Sequence, residues 1–176
     1  PGTAIVGYSI IEFDKGKYNV LDYGCIYTDK DEDMPVRLEK IYDSLDNLIK
    51  LWKPTDMAIE DLFFFKNQKT IVKVGQARGV ITLVGQKNRM NIFSYTPLQV
   101  KMGIASYGRA EKKQIQEMVK IILKLDEIPK HDDAADALAI AITHINSKNS
   151  FGGFTRGDNI SKKLEKLNSN KIKLED

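Results

Sequence analysis

Asp133-Ala134-Ala135-Asp136 sets two carboxylates at i and i+3. That spacing puts both on one face of a helix at its N-terminal turn, with alanines between them small enough to admit another element. Acids in a first turn interact with the helix macrodipole by about 0.3–1 kcal/mol, so capping alone would account for the pair. Glu60 changes that weighing. It ends the apolar run Met57-Ala58-Ile59, at the strand end where α/β sheets place their ligands, and a carboxylate there is costly unless solvated or metal-bound. Hard oxygen donors on a strand end and on a DxxD helix suit divalent-metal phosphoryl transfer. A few carboxylates hold Mg²⁺ and leave positions for water and phosphate.

The elements that must position these residues follow from periodicity. Ile5 to Ile11 and Tyr18 to Tyr23 are β-branched and aromatic runs around the turn Asp14-Lys15-Gly16-Lys17, which predicts a hairpin, and Gly24 to Tyr27 reads as a third antiparallel strand. Pro35 opens a helix that carries Leu38, Ile41, Tyr42, Leu45, Leu48, Ile49 and Trp52 along one face until Pro54. Further strands are expected at Met57–Asp61 and Asn91–Tyr95, and helices at Lys69–Gln86, Glu111–Leu125 and Asp132–Asn146, with Thr96-Pro97 as a cap and first turn. The fold class is thus α/β: a mixed five-stranded sheet, three antiparallel strands first, with helices on both faces. Residues 1–146 form the domain, and the Asn-, Ser-, Gly- and Lys-rich stretch 147–176 reads as a basic, flexible tail.

A chain of 176 residues, 42% hydrophobic and 29% charged, is one globular domain's worth. Its single cysteine, Cys25, excludes an internal disulfide and suits a reducing compartment. The longest apolar run, Ala137 to Ile142, is far short of the roughly 18–20 residues that span a bilayer. The net charge of +3 is unevenly spread: residues 1–60 carry −5, residues 61–144 carry +5 and residues 145–176 carry +3. The basic second half is a candidate polyanion face, although lysines commonly just solvate helices.

Other features carry alternatives. Leu62-Phe63-Phe64-Phe65 cannot turn three consecutive aromatics to one core, so one of them could stack on unpaired bases while the others pack. Lys66, Lys69, Lys73 and Arg78 follow as phosphate contacts or as ordinary solvated cations. Gly75 and Gly79, four apart on an apolar helix, admit another backbone, in most soluble chains one from the same fold. His131 and His144 read as a loop residue and a late-helix residue rather than as ligands.

These residues, in order and at matching spacing, resemble the RuvC family of Holliday junction resolvases, nucleases of RNase H-like fold. The likeness runs from Pro1-Gly2-Thr3 through Ala58-Ile59-Glu60, Lys66-Asn67, Gly75-Gln76-Ala77-Arg78-Gly79 and Ala110-Glu111-Lys112 to Asp133-Ala134-Ala135-Asp136 and on to Thr143-His144. The resemblance implies a homodimer that nicks four-way DNA junctions symmetrically in recombination and repair. It implies two Mg²⁺ ions per site, replaceable by Mn²⁺, held by Glu60, Asp133 and Asp136. The family's first ligand is an Asp immediately before Pro-Gly, a position this chain, starting at Pro1, lacks; on that ground a longer chain is expected.

By the same resemblance Lys112 and Lys101 would lie beside the scissile phosphate, and Phe63 would be the base-contacting aromatic. The DNA-binding set is then Phe63, Lys66, Lys69, Lys73, Arg78, Lys101 and Lys112, and the helix with Gly75 and Gly79 would lie near a two-fold axis. Implied partners are the branch-migration proteins RuvA and RuvB, with no membrane, in a bacterial cytoplasm near the nucleoid. Rival readings are another RNase H-like nuclease and a junction-binding scaffold that does not cut.

Overall fold

The computed structural model describes residues 2–61, 68–105 and 108–150, with the backbone alone at 68–70 and 150. Two long strands open it, β1 (Ile5–Asp14) and β2 (Lys17–Tyr27), paired antiparallel. The turn between them uses Lys15 and Gly16, both at positive φ, as two-residue hairpin turns require. Helix α1 (Met34–Trp52) starts with Pro35 in its first turn and ends at Lys53, whose left-handed conformation lets its N–H close onto Ile49 O at 2.8 Å. Then come β3 (Asp56–Glu60), α2 (Gln68–Lys87), β4 (Asn91–Tyr95), α3 (Pro97–Ala105), α4 (Lys112–Leu123) and α5 (Asp132–Ser150). Thr96 caps α3 reciprocally with Gln99: Gln99 N–H donates to Thr96 Oγ1, and Thr96 N–H to Gln99 Oε1.

The expected third antiparallel strand is a continuation of the second. Gly24 looked like a break, but a Cβ there would meet the Tyr8 ring at 3.2–3.4 Å. Its small size makes room for a neighbour inside the sheet. The described residues therefore hold four strands in two two-stranded sheets, β1–β2 and a parallel β3–β4, and not one five-stranded sheet.

Strand alternation sends the two faces of the hairpin to different cores. Val6, Ile26 and the partly buried Tyr8 pack with Ile41, Leu45, Ile49, Ile59, Ala77, Ile81 and Val84, from α1, β3 and α2. Ile11, Tyr18 and Val20 pack with Ile104, Ile115, Val119, Leu123, Leu138 and Ile142, from α3, α4 and α5. A register shift after Ile10 leaves Leu21 unpaired and brings the even-numbered Tyr18 and Val20 onto the face of Ile11. Helices thus cover both faces, as the sequence implies.

The chain divides into two units, residues 1–144 and 145–176; of the second, residues 145–150 are described, as the end of α5. No described helix is long and apolar enough to cross a membrane.

Candidate active site

Gly7 decides where the DxxD helix can sit. An added Cβ would lie 1.9 Å from the Asp133 carbonyl oxygen and 2.3 Å from its carbon, so the start of α5 rests directly on the β1 backbone. Two residues along the same face, the Ser9 hydroxyl donates to Ala137 O at 3.0 Å. Ala134 and Ala135, both buried, keep that approach open, and their N–H groups close the first turn onto His131 O.

Asp132, Asp133 and Asp136 crowd this helix start, and α4 supplies the cation. Lys112 is the first residue of α4 after the Glu111–Gln114 capping box. Its Nζ lies 3.0 Å from Asp132 Oδ2 and 3.5 Å from Asp136 Oδ2. Gln116 Nε2 donates to the other Asp132 oxygen at 2.8 Å. The titration of the three groups reflects this. Burial pushes the Asp136 carboxyl above the ordinary carboxylate value; Lys112 opposes that, and repulsion from Asp132 and Asp133 adds to it. The hydrogen bonds from Lys112 and then Gln116 hold Asp132 below its usual value. Burial alone would lower Lys112, but its bond to Asp132 and attraction to Asp136 outweigh it and keep the ammonium firmly charged.

Glu60 is the last residue of β3, half-buried and registered opposite Tyr95 of β4. The strand end is clamped by Arg78, whose guanidinium donates to Asp61 Oδ1 at 2.9 Å, to Ser94 Oγ at 2.8 Å and, more loosely, to Glu60 O at 3.4 Å. Arg78 thus braces the ends of β3 and β4. Lys73 is exposed on α2, and Lys101 is half-buried on α3. Phe63 and Lys66 lie outside the described residues, as does the Lys69 side chain.

The donor chemistry fits Mg²⁺, because every candidate ligand is a carboxylate and a cation would relieve the repulsion felt by Asp136. Among the described residues, however, no three carboxylate, imidazole or thiol groups enclose a metal position. What the structure brings together is Asp132, Asp133, Asp136 and Lys112; Glu60 stands apart from them as the last residue of β3.

Sequence reasoning missed two residues here. Asp132 was hidden as an ordinary helix-start acid. Tyr27, on the same hairpin face as Gly7, stacks edge-on against His131 at 5.8 Å between ring centroids. Burial, the Cys25 thiol and then Asp133 push its phenol upward. The available signal was the strand pairing Ile5–Tyr27 beside Gly7.

Comparison with known proteins supplies the family. The RuvC crossover junction endodeoxyribonuclease model matches residues 1–144. A RuvC from Fusobacterium nucleatum is 58% identical over 176 residues, all of this chain and 93% of its own length. One from Halothermothrix orenii is 55% identical over 147 residues, 84% of this chain and 89% of its own. Among solved structures, T. thermophilus RuvC in complex with Holliday junction substrate superposes with a TM-score of 0.79 at 27% identity, covering 86% of this chain and 92% of that one. The yeast mitochondrial Holliday junction resolvase shares the fold, with a TM-score of 0.57 at 12% identity over 82% of this chain and 78% of its own. A carboxylate cluster seated on a strand glycine, a lysine shared between its acids, and a family match over the whole of the first unit agree: the chain belongs to the RuvC family of crossover junction endodeoxyribonucleases.

Proposed function

We propose that the chain resolves four-way DNA junctions in recombination and repair as a Mg²⁺-dependent homodimer, making paired symmetric nicks that leave 5′-phosphates and 3′-hydroxyls. Its family is one of metal-dependent junction endonucleases, and the T. thermophilus relative of the same fold is described with Holliday junction substrate. The observation that carries the assignment of the site is the sharing of Lys112 between Asp132 and Asp136 at the mouth of the Gly7–Asp133 contact. A cation and a crowded set of acids at one point are what phosphodiester hydrolysis needs.

Glu60, Asp133 and Asp136 are the residues we assign to hold two Mg²⁺ ions, with Mn²⁺ able to substitute. Bound metal would supply water activation and stabilisation of the leaving 3′ oxygen. The chain's own groups orient and neutralise. Lys112, kept charged by Asp132, offsets charge that builds on the phosphate in the transition state, and Lys101 adds to the same field. Phe63, Lys66, Lys69 and Lys73 are assigned to the junction arms; Arg78 acts on them from the strand end it braces.

Dimerisation has support on α2. Val72 and Leu83 are 60% and 52% exposed, and a Cβ at Gly75 or Gly79 would meet nothing within 4 Å. An apolar stripe with two open glycines fits close approach by the same helix of a second copy, and a dimer suits symmetric cutting of two like strands. The branch-migration proteins RuvA and RuvB, in a bacterial cytoplasm, complete the reading.

The test is nicking of a synthetic four-way junction by Asp136→Asn and Lys112→Ala, with linear duplex and RNA–DNA hybrid as controls. Both variants should bind the junction and cut it poorly, Asp136→Asn by far the worse. Unimpaired nicking by Asp136→Asn overturns the site, and equal cutting of all three substrates points to another RNase H-like nuclease.

A further inference from the structure

The candidate site uses one end of α5. Three turns further along it lies a buried polar group that the chemistry does not touch. His144 is 6% exposed. Its Nδ1 lies 2.8 Å from the Tyr95 hydroxyl, and its Nε2 lies 3.1 Å from Asp56 Oδ2. The ring also sits against Phe93, 4.4 Å between centroids. Asn91 Nδ2 donates to the remaining Asp56 oxygen at 2.9 Å, so each carboxylate oxygen has a partner. A neutral imidazole satisfies both of its bonds at once if the Tyr95 hydroxyl donates to Nδ1 and Nε2–H donates to Asp56.

The geometry of the elements links this group to the site. In the parallel register Asp56 pairs with Asn91, Ala58 with Phe93 and Glu60 with Tyr95. Alternation puts all six side chains on one face of the sheet. His144 therefore binds the very face that carries Glu60, and Tyr95 is the direct neighbour of Glu60. Along α5, Asp133 and His144 are eleven residues apart, three turns, so they share a stripe and stand about 16 Å apart. Along β3, Asp56 and Glu60 are about 13 Å apart. The Gly7–Asp133 contact fixes the start of α5 against β1 alone.

We propose that His144, with Tyr95 and Asp56, is a positioning residue for cleavage: it sets α5 against the Glu60 face of β3–β4 and thereby the separation of Glu60 from Asp133 and Asp136. The proposal rests on reading those three carboxylates as one metal site. Supports one shell away from metal ligands change affinity or activity by roughly 10–100-fold, without touching substrate.

The test uses the full chain with Tyr95→Phe, His144→Gln, Asp56→Ala and Asp56→Asn, and Asp136→Asn as a control. Three quantities are read: Mn²⁺ binding by electron paramagnetic resonance, the Mg²⁺ concentration for half-maximal junction cleavage, and junction affinity in EDTA. Tyr95→Phe, His144→Gln and Asp56→Ala should weaken Mn²⁺ binding and raise the Mg²⁺ requirement by about 10-fold while junction affinity in EDTA holds. Asp56→Asn, which keeps an oxygen for Nε2–H, should recover most of the loss. Tyr95→Phe removes one hydroxyl from a tyrosine that otherwise still packs, so it carries the test should His144→Gln not fold. If folded Tyr95→Phe and Asp56→Ala bind Mn²⁺ and respond to Mg²⁺ like the unaltered chain, the network only stabilises the fold and the proposal fails. If Asp136→Asn also leaves Mn²⁺ binding unchanged, the fault lies in the metal-site reading.

Discussion

Gly7 and Gly79 are the same residue put to opposite uses. At Gly7 the missing side chain is filled by backbone of the same fold, with Asp133 O 1.9 Å from where a Cβ would stand; at Gly79 the space is empty. The first glycine belongs to the protomer's own packing and the second to whatever approaches from outside. Open space at Gly79, on a helix with exposed Val72 and Leu83, is where the proposed dimer would form, whereas the filled space at Gly7 seats the start of α5.

The largest effect expected from breaking this contrast is at Gly7. Gly7→Ala should destabilise the chain by more than about 3 kcal/mol, beyond the usual overpacking range, because backbone on both sides must move. Thermal melting and junction nicking should fall together. A stable, active Gly7→Ala protein would mean that α5 sits elsewhere.

Next comes Gly79→Arg, which should leave the protomer folded by circular dichroism yet shift sedimentation from dimer to monomer and abolish paired nicking. Persistence of the dimer would move the interface off α2.

A smaller effect of opposite sign is expected from Gly79→Ala. With nothing for the methyl to strike, the gain in helix propensity should stabilise the protomer by about 0.5–1 kcal/mol in urea unfolding.

The smallest effect sharpens the sealed end of the comparison. Burial raises the folded-state pKa of Asp136 above the unfolded value, so between those two values the folded chain holds the extra proton. Without metal, this group's contribution to stability falls as pH rises through that window. Asp132 runs the other way: its lowered pKa gives stability that is present above the ordinary carboxylate value and lost in acid. Asp136→Asn in EDTA should accordingly melt slightly higher than the unaltered chain near neutral pH, and the advantage should vanish in acid. A lower melting temperature at neutral pH would show that its contact with Lys112 outweighs the cost of burial.

Local patterns were legible in the sequence and long-range ones were not. Strand β4 runs from Asn91 to Tyr95 as its β-branched and aromatic residues imply, and α1 stops beside Pro54 as its periodicity requires. The single strand β2 was misread as two because Gly24 answers to Tyr8 across the sheet, a partner sixteen residues back. The DxxD acids stood out by their spacing beside Glu60, and Lys112 by resemblance, but neither their mutual contact nor the place of Asp132 in it was legible. His144 reads as a late-helix residue because its partners, Tyr95 and Asp56, stand 49 and 88 residues away. No local spacing encodes such a meeting. Helix α2 buries Val74, Ala77, Ile81 and Val84 and leaves Ile71, Val72 and Leu83 exposed, a division its apolar sequence did not reveal.

The hairpin β1–β2 is walled by one core on each face. An amide in the middle of such a strand pair is released only by an opening that disrupts both cores at once, so its exchange with solvent deuterium reports the free energy of the whole unit. Amides of α1 can exchange by loss of one core alone, and those of α4 by loss of the other. Amides in the middle of β1, at Ser9 and Ile10, should consequently be the slowest to exchange, and a destabilising change in either core should speed them equally.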